Sequence, residues 1–289
     1  MAKSKPVAKR RSKKRVPAWA VDPFHSFLHE AERLEHVVRL SARGIGVLQA
    51  MPKVVEVLME VDKDASGEAS QRLENARTEA KLAKREVESG FPVLHSWAVV
   101  GLWALLEALI RTFVAEWLKH KRSVWHSEHI QRLKVRLGEY EAIPPSQRHH
   151  FVAQLLERDL GAGLKYGVAR FETILEPFGL SGDIPEIVRR TIYELAQVRN
   201  LAVHRASKVD RRFLQACPWL DVRVGDQLHV SVGSFNKYTC AAMAYVTLLI
   251  CRVKEHFGIN MAKHRASTEE FIDRQLADKT LRRPSTRRR

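Results

Sequence analysis

Residues 197–208, QVRNLAVHRASK, place Arg199, Asn200 and His204 within six positions. The residue types suit chemistry: an arginine is a planar, permanently charged fork for anions, and a histidine exchanges a proton near neutrality. The bare spacing R-x4-H proves little, because 31 Arg and 13 His among 289 residues supply it about once by chance. An Asn directly after the Arg lowers that expectation to roughly 0.02, since the chain holds only four Asn. Context must therefore decide whether the three residues form a site.

The element that would position them is a helix over 184–206. SGDIPEIVRR (181–190) reads as its start, a polar cap region followed by Pro185 and Glu186 in the first turn. On a 3.6-residue period Tyr193, Gln197, Asn200 and His204 form one polar stripe. Val188, Ile192, Leu195, Arg199 and Ala202 form another, apolar apart from its Arg. A guanidinium there is costly unless a carboxylate or an anionic ligand meets it. Glu107 is the only ionisable residue between Trp97 and Ile110, and it is expected to face Arg199 across a helix–helix contact. The local alternative is an i,i+4 pair between Glu107 and Arg111. Arg199 and His204 lie about 140° apart around an ideal helix, so one helix does not point both at one atom. A purely structural alternative also stands, in which Arg199 pairs with a carboxylate while Asn200 and His204 help cap the helix, His being favoured there by the dipole.

Helical periodicity dominates the rest of the chain. Residues 23–44 and 51–67 read as amphipathic helices, 68–89 as a charged helix with a thin stripe of Leu73, Ala76, Ala80 and Ala83, and 92–120 as the longest and most apolar element. Further helices are expected from 144–145 to about 158, over 164–176, and over about 234–257. GAGLKYG (161–167) reads as a glycine-rich turn between helices. Only LDVRVGDQLHVSVG (220–233) alternates as strands do, and it predicts a hairpin about Gly225-Asp226. The fold class is all-α, a helical bundle with one small β-hairpin.

The net charge of +16 is concentrated at the ends. Residues 1–15 carry eight Lys and Arg and residues 281–289 carry five, with no acid in either, leaving 16–280 at 36 − 33 = +3. Such arms cannot bury a core, and they predict disorder together with salt-sensitive affinity for phosphate backbones, or simply added solubility. Lys13, Lys14 and Arg15 in the arm, with Arg205 and Lys208 beside the motif, are the candidate nucleic-acid contacts. No signal peptide is visible, and the apolar run 97–110 is short for a bilayer and contains a Glu. Cys217, Cys240 and Cys251 make no CxxC, and Cys240 and Cys251 read as buried thiols. These features predict a cytoplasmic chain with no membrane partner. No Walker loop, GxSxG elbow or HExxH helix is present. His126, His129, His149 and His150 lack a ligand set at metal spacing, and no metal or cofactor is expected.

An all-helical chain with a Glu in its long apolar helix and RNLAVH near the end of a late helix resembles the HEPN superfamily, whose hallmark is R-x4-6-H, often with a polar residue after the Arg. The resemblance covers about 90–258, extends through VRNLAVHRASKVDRRFLQACPWLDVRVGDQLHVSVG, and is similar to HEPN-like bacterial chains. With a boundary at SGFP (89–92), the chain divides into a basic tail (1–17), an N-terminal helical region (18–89), the HEPN-like helical domain that the resemblance covers (90–258), and a C-terminal helix with a second basic tail (259–289). The resemblance carries a function as well. It implies a metal-independent endoribonuclease, in a toxin or antiviral-defence role. His204 would serve as general acid or base while the RNA 2′-hydroxyl attacks the adjacent phosphodiester and leaves a 2′,3′-cyclic phosphate. Arg199 would neutralise the phosphorane, Asn200 would orient the imidazole or phosphate, and Glu107 would orient Arg199. It also implies a homodimer in which two motifs share one cleft. Ala206 stands where one toxin–antitoxin branch carries Tyr, which argues against silencing by modification there. The alternative reading is a non-catalytic HEPN-like RNA-binding or protein-assembly module.

Overall fold

The computed structural model describes residues 15–61 and 67–276. Lys13 and Lys14, most of the 1–17 tail and the basic end lie outside the described residues. α1 (Asp22–Leu48) carries Pro23 in its first turn, where a missing N–H costs nothing. It buries Phe24, Phe27, Ala31 and Val38 at helical spacing. α2 (Met51–Val61) follows after two residues, and α3 (Gly67–Ser89) packs back against both α1 and α2. Ala76 and Ala83 are the buried residues of α3. The thin stripe read from the sequence is thus real, and its small residues let this charged helix lie close. Gly90 and Phe91, both at positive φ (77° and 59°), turn the chain sharply into the next helix.

α4 (Pro92–His120) is central, with α1, α7, α9 and α11 packed around it (the last three are defined below). By length and composition α4 would be enough to cross a membrane, and here just over half of its most apolar window is covered by the other helices. The Phe24 and Phe113 rings lie 5.0 Å apart, and Gly101 admits the Leu34 side chain to 3.4 Å of where a Cβ would stand. Two short helices, α5 (Glu128–Gln131) and α6 (Leu137–Ala142), lead to α7 (Arg148–Asp159) and α8 (Val168–Leu175). α9 (Glu186–Arg205) carries the motif. α10 (Arg211–Ala216) is capped by Asp210, and α11 (Val232–His256) by Ser231, whose hydroxyl accepts from the Ser234 N–H at 3.1 Å. α12 (Ala262–Leu276) packs on α11 and α9.

One buried cluster runs from Ala20 to Leu276 and includes the first half of α1. Trp117, Phe113, Leu106 and Tyr245 are fully buried within it, each stabilising the fold by about 1.5–3 kcal/mol through area removed from water. A polar tie crosses this core. Arg252 on α11 donates to both oxygens of Glu172 on α8 at 2.9 Å and to the carbonyls of Leu180 and Asp183 at 3.2 and 3.0 Å. Tyr245 donates to the same carboxylate at 2.9 Å. The tie fixes the loop that delivers the chain into α9.

The described residues are mostly helical and contain no strand, so the expected hairpin is corrected. Gly225 does turn the chain, with the Asp226 N–H donating to Arg223 O at 3.1 Å. The two arms, however, do not pair with each other. The second arm pairs instead with the segment that leaves α9, through an isolated antiparallel bridge of Lys208 and Gln227. The Val209 N–H donates to Asp226 O and the Leu228 N–H to Ser207 O, at 2.9 and 2.8 Å. Val209 and Val230 are both buried, so the arm that alternates satisfies its edge on the strand-like residues already anchored beside it.

Candidate functional site

α9 is built to hold its last turn still. Glu194 on its buried face is 2% exposed and accepts three donors: Tyr238 OH at 2.8 Å, Lys237 Nζ at 3.1 Å and Trp219 Nε1 at 2.6 Å. Lys237 and Tyr238 lie on α11, and Trp219 lies beyond α10, so one carboxylate joins three parts of the chain. Arg190 lies 4.3 Å over the Trp219 ring. Burial, with Glu194 nearby, pushes the Cys217 thiol up to about 12, so this cysteine is a packed thiol and not a nucleophile. The sequence does not single out Glu194, although an acid between Ile192 and Leu195 on the motif helix is a comparable signal to the one that drew attention to Glu107.

The helix ends directly after His204 and Arg205. Ala206 and Ser207 both adopt left-handed backbone, at φ 47° and 62°, a conformation that costs a residue with a Cβ roughly 1–2 kcal/mol. The Ser207 N–H reaches back to Leu201 O at 3.1 Å, and Gln227 Nε2 donates to Ala206 O at 2.8 Å. The corrected turn region is therefore a brace for the end of the motif helix.

Three of the four residues of the polar stripe read from the sequence, Gln197, Asn200 and His204, line a cleft, and Tyr193 lies outside its lining. Gln197, Asn200, Leu201, His204 and Arg205 form one wall, and Asp210, Arg212 and Phe213 form another, around about 340 Å³. The third contributor is Tyr166, from the glycine-rich loop before α8. Its hydroxyl accepts from Arg212 Nη2 at 2.7 Å, and its ring meets Tyr193 edge-on at 6.3 Å. Gly167 makes this approach possible: it has φ 61°, and a Cβ there would stand 2.8 Å from Tyr193 Cα. Arg205 and Arg212 bring positive charge to the cleft, and Asp210 offsets part of it, with Arg205 Nε 3.6 Å from its carboxylate. His204 is exposed at the cleft wall. Arg199 itself is not in the lining. Its guanidinium curls along α9 so that Nη1 donates to Asn200 Oδ1 at 3.0 Å. Asn200 thus connects Arg199 to the cleft that His204 faces. The buried Arg199 Nε has no hydrogen-bond partner among the described residues.

Glu107 does not meet Arg199. It pairs with Arg170 Nη1 at 2.7 Å, inside a cluster where Arg170 and Arg111 also hold Glu157. The physical reason is placement: α7 and α8 both pack against α4 and carry Glu157 and Arg170. Two carboxylates with two guanidinium groups satisfy one another there, and Glu107 is left no part in the motif. Burial alone would raise the Glu157 carboxyl, but the bonds from Arg170 and Arg111 hold it below its ordinary value. Lys208 is exposed and sits in the bridge to Gln227, outside the cleft; Arg15 is exposed at the first described residue.

No family model, curated protein or solved structure matches this chain. The site is therefore read from its own geometry. That geometry offers a proton-exchanging imidazole, an amide tied to a guanidinium, two further cations and an exposed aromatic ring around one opening. Among the described residues no group of three or more His, Cys, Asp or Glu is placed to hold a metal ion.

Proposed function

We propose that the chain is a HEPN-type endoribonuclease that cleaves single-stranded RNA in the Tyr166–His204–Arg212 cleft. The observation that carries this reading is the gathering of Asn200, His204, Arg205, Arg212 and Tyr166 around one opening, with Arg199 bonded to Asn200. In this reading His204 takes the proton of a 2′-hydroxyl as that oxygen attacks the neighbouring phosphorus. The P–O5′ bond breaks, the leaving 5′-oxygen takes a proton from water, a 2′,3′-cyclic phosphate remains, and His204 returns its proton to solvent. Arg205 and Arg212 at the cleft stabilise the charge that develops on the non-bridging oxygens, and Arg199 acts from behind by holding Asn200. Tyr166 offers a face on which an unstacked base can rest, which double-stranded RNA cannot supply. Glu107 has no place in this scheme, and Lys208 serves the brace.

The test is cleavage of a mixed single-stranded RNA pool in EDTA across roughly pH 6 to 8.5. Wild-type protein is expected to cut, and His204→Ala to lose about 10²–10⁴-fold of the rate with an unchanged melting temperature. RNA left intact by the wild type at micromolar protein sinks the proposal. Salt-sensitive RNA binding that survives His204→Ala, without any cleavage, would instead identify a binding module.

A further inference from the structure

Away from the cleft, the α1–α2 arm leaves apolar side chains in water. From Val37 to Val61 the positions at alternating spacings of three and four, as in the a/d seam of a coiled coil, are apolar except for Gly44, and all of the apolar ones but the half-buried Met51 are exposed. Leu40 is 63% exposed, Leu58 61% and Val61 77%. The seam does not stop where α1 ends. The ladder is interrupted at the junction, where the Ala50 N–H bonds to Val47 O at 3.0 Å. Gln49 nevertheless keeps right-handed helical backbone at φ −62° and ψ −27° and the Val54 N–H bonds to Ala50 O at 3.3 Å, and the spacing of three and four continues across the junction in the sequence. α3 packs against both α1 and α2, yet Val37, Leu40, Val47, Val54, Leu58 and Val61 stay exposed.

We propose that this arm is a dimerisation surface, on which the same arm of a second copy packs antiparallel. The order of residues argues for that occupant. Reversed about residue 49, the seam matches itself in four layers with nothing left over: Val37 with Val61, Leu40 with Leu58, Gly44 with Val54, and Val47 with Met51. Gly44 has open space where a Cβ would stand, and the antiparallel order fills it with a valine. The parallel order would stack Gly44 on Gly44 and leave a void, which a knobs-into-holes seam does not tolerate cheaply. Beside the seam, Leu48, Ala50, Val55 and Val57 widen the apolar face. Arg43 is the one full charge there, and in the antiparallel order it lies across from Ala50 and Val57, so like charges do not meet. This contact is distinct from the shared-cleft homodimer that the resemblance implies, and it does not rest on the chemistry in the cleft.

The measurement is the mass of the full chain in solution from low to tens of micromolar. A dimer is expected, and Leu40→Glu with Leu58→Glu should weaken it by at least about 100-fold while leaving helical content and melting of the monomer unchanged. Under mild oxidation the double variant Leu40→Cys, Leu58→Cys should give a covalent dimer, and Leu40→Cys alone should not. A monomeric wild type overturns the inference. So does a dimer that survives the two Glu substitutions but falls apart with Trp97→Glu, since exposed Trp97 lies in a separate groove beside α9. Covalent capture by Leu40→Cys alone would overturn the antiparallel order. RNA cleavage by the monomeric variant would leave the dimer inference standing, and loss of cleavage with His204→Ala would not bear on it.

Discussion

The end of α9 and the α1–α2 arm spend their residues in opposite ways. At the end of α9 polar groups are drawn together and fixed: Glu194 takes three donors from two other elements, and the last turn is braced by Gln227. On the arm, apolar groups stand in solvent while α2 buries no residue at all. The first arrangement costs stability to hold a constellation for a small charged target. The second costs nothing to the isolated chain and gains only when another surface covers it. A site and a docking face are thus told apart by what each leaves unsatisfied, charge in one case and apolar area in the other.

This contrast predicts where the fold will break. Glu194→Ala removes the shared acceptor of Lys237, Tyr238 and Trp219 and leaves a partly buried ammonium and the buried Tyr238 hydroxyl unpaired, so about 3–5 kcal/mol of stability should be lost, read from urea unfolding. Gly167→Ala forces a Cβ against the α9 backbone and should cost about 1–3 kcal/mol. It should also lower RNA affinity by moving Tyr166, whereas Tyr166→Ala should lower affinity and leave the melting temperature alone.

Acid should act on the body in two steps. Burial holds His95, His149 and His256 below their ordinary 6.5. The unfolded chain therefore binds protons that the fold resists, and stability falls as pH drops below that value. Glu157 and Glu255 are held below their ordinary 4.5, in Glu157 by Arg170 and Arg111 against the effect of burial and in Glu255 chiefly by the bond from Arg265. Their contribution is present above pH 4.5 and is lost as the pH falls through their folded values, so thermal melting should drop again there.

Ala206→Gly relieves one left-handed residue and should raise stability by about 1 kcal/mol. The smallest effect belongs to the arm: Leu58→Glu should change the melting of the monomer by no more than about 0.5 kcal/mol.

Much of the helical order is legible in the sequence because it is local. The stripe of Tyr193, Gln197, Asn200 and His204 needs only a 3.6-residue period, and its last three members face one cleft. Partner choice is not local. Glu107 and Arg170 are brought together by helices distant in the chain, and nothing in the sequence around Glu107 favours Arg170 over Arg199. The 220–233 segment shows the same limit. Its alternation predicts two arms paired with each other, yet the second arm pairs with Ser207 to Val209. Tyr166 is hidden for a different reason: a glycine-rich loop reads as a connector until the close approach of Gly167 to Tyr193 is known.

Whether His204 moves a proton in RNA cleavage is reported directly by the ends of the product. A single-stranded RNA incubated with wild-type protein in EDTA should yield fragments ending in 2′,3′-cyclic phosphate. The same RNA with His204→Ala, or a 2′-deoxy version with wild type, should stay whole. Cleavage of the 2′-deoxy strand, or equal cleavage by His204→Ala, would contradict that role for His204.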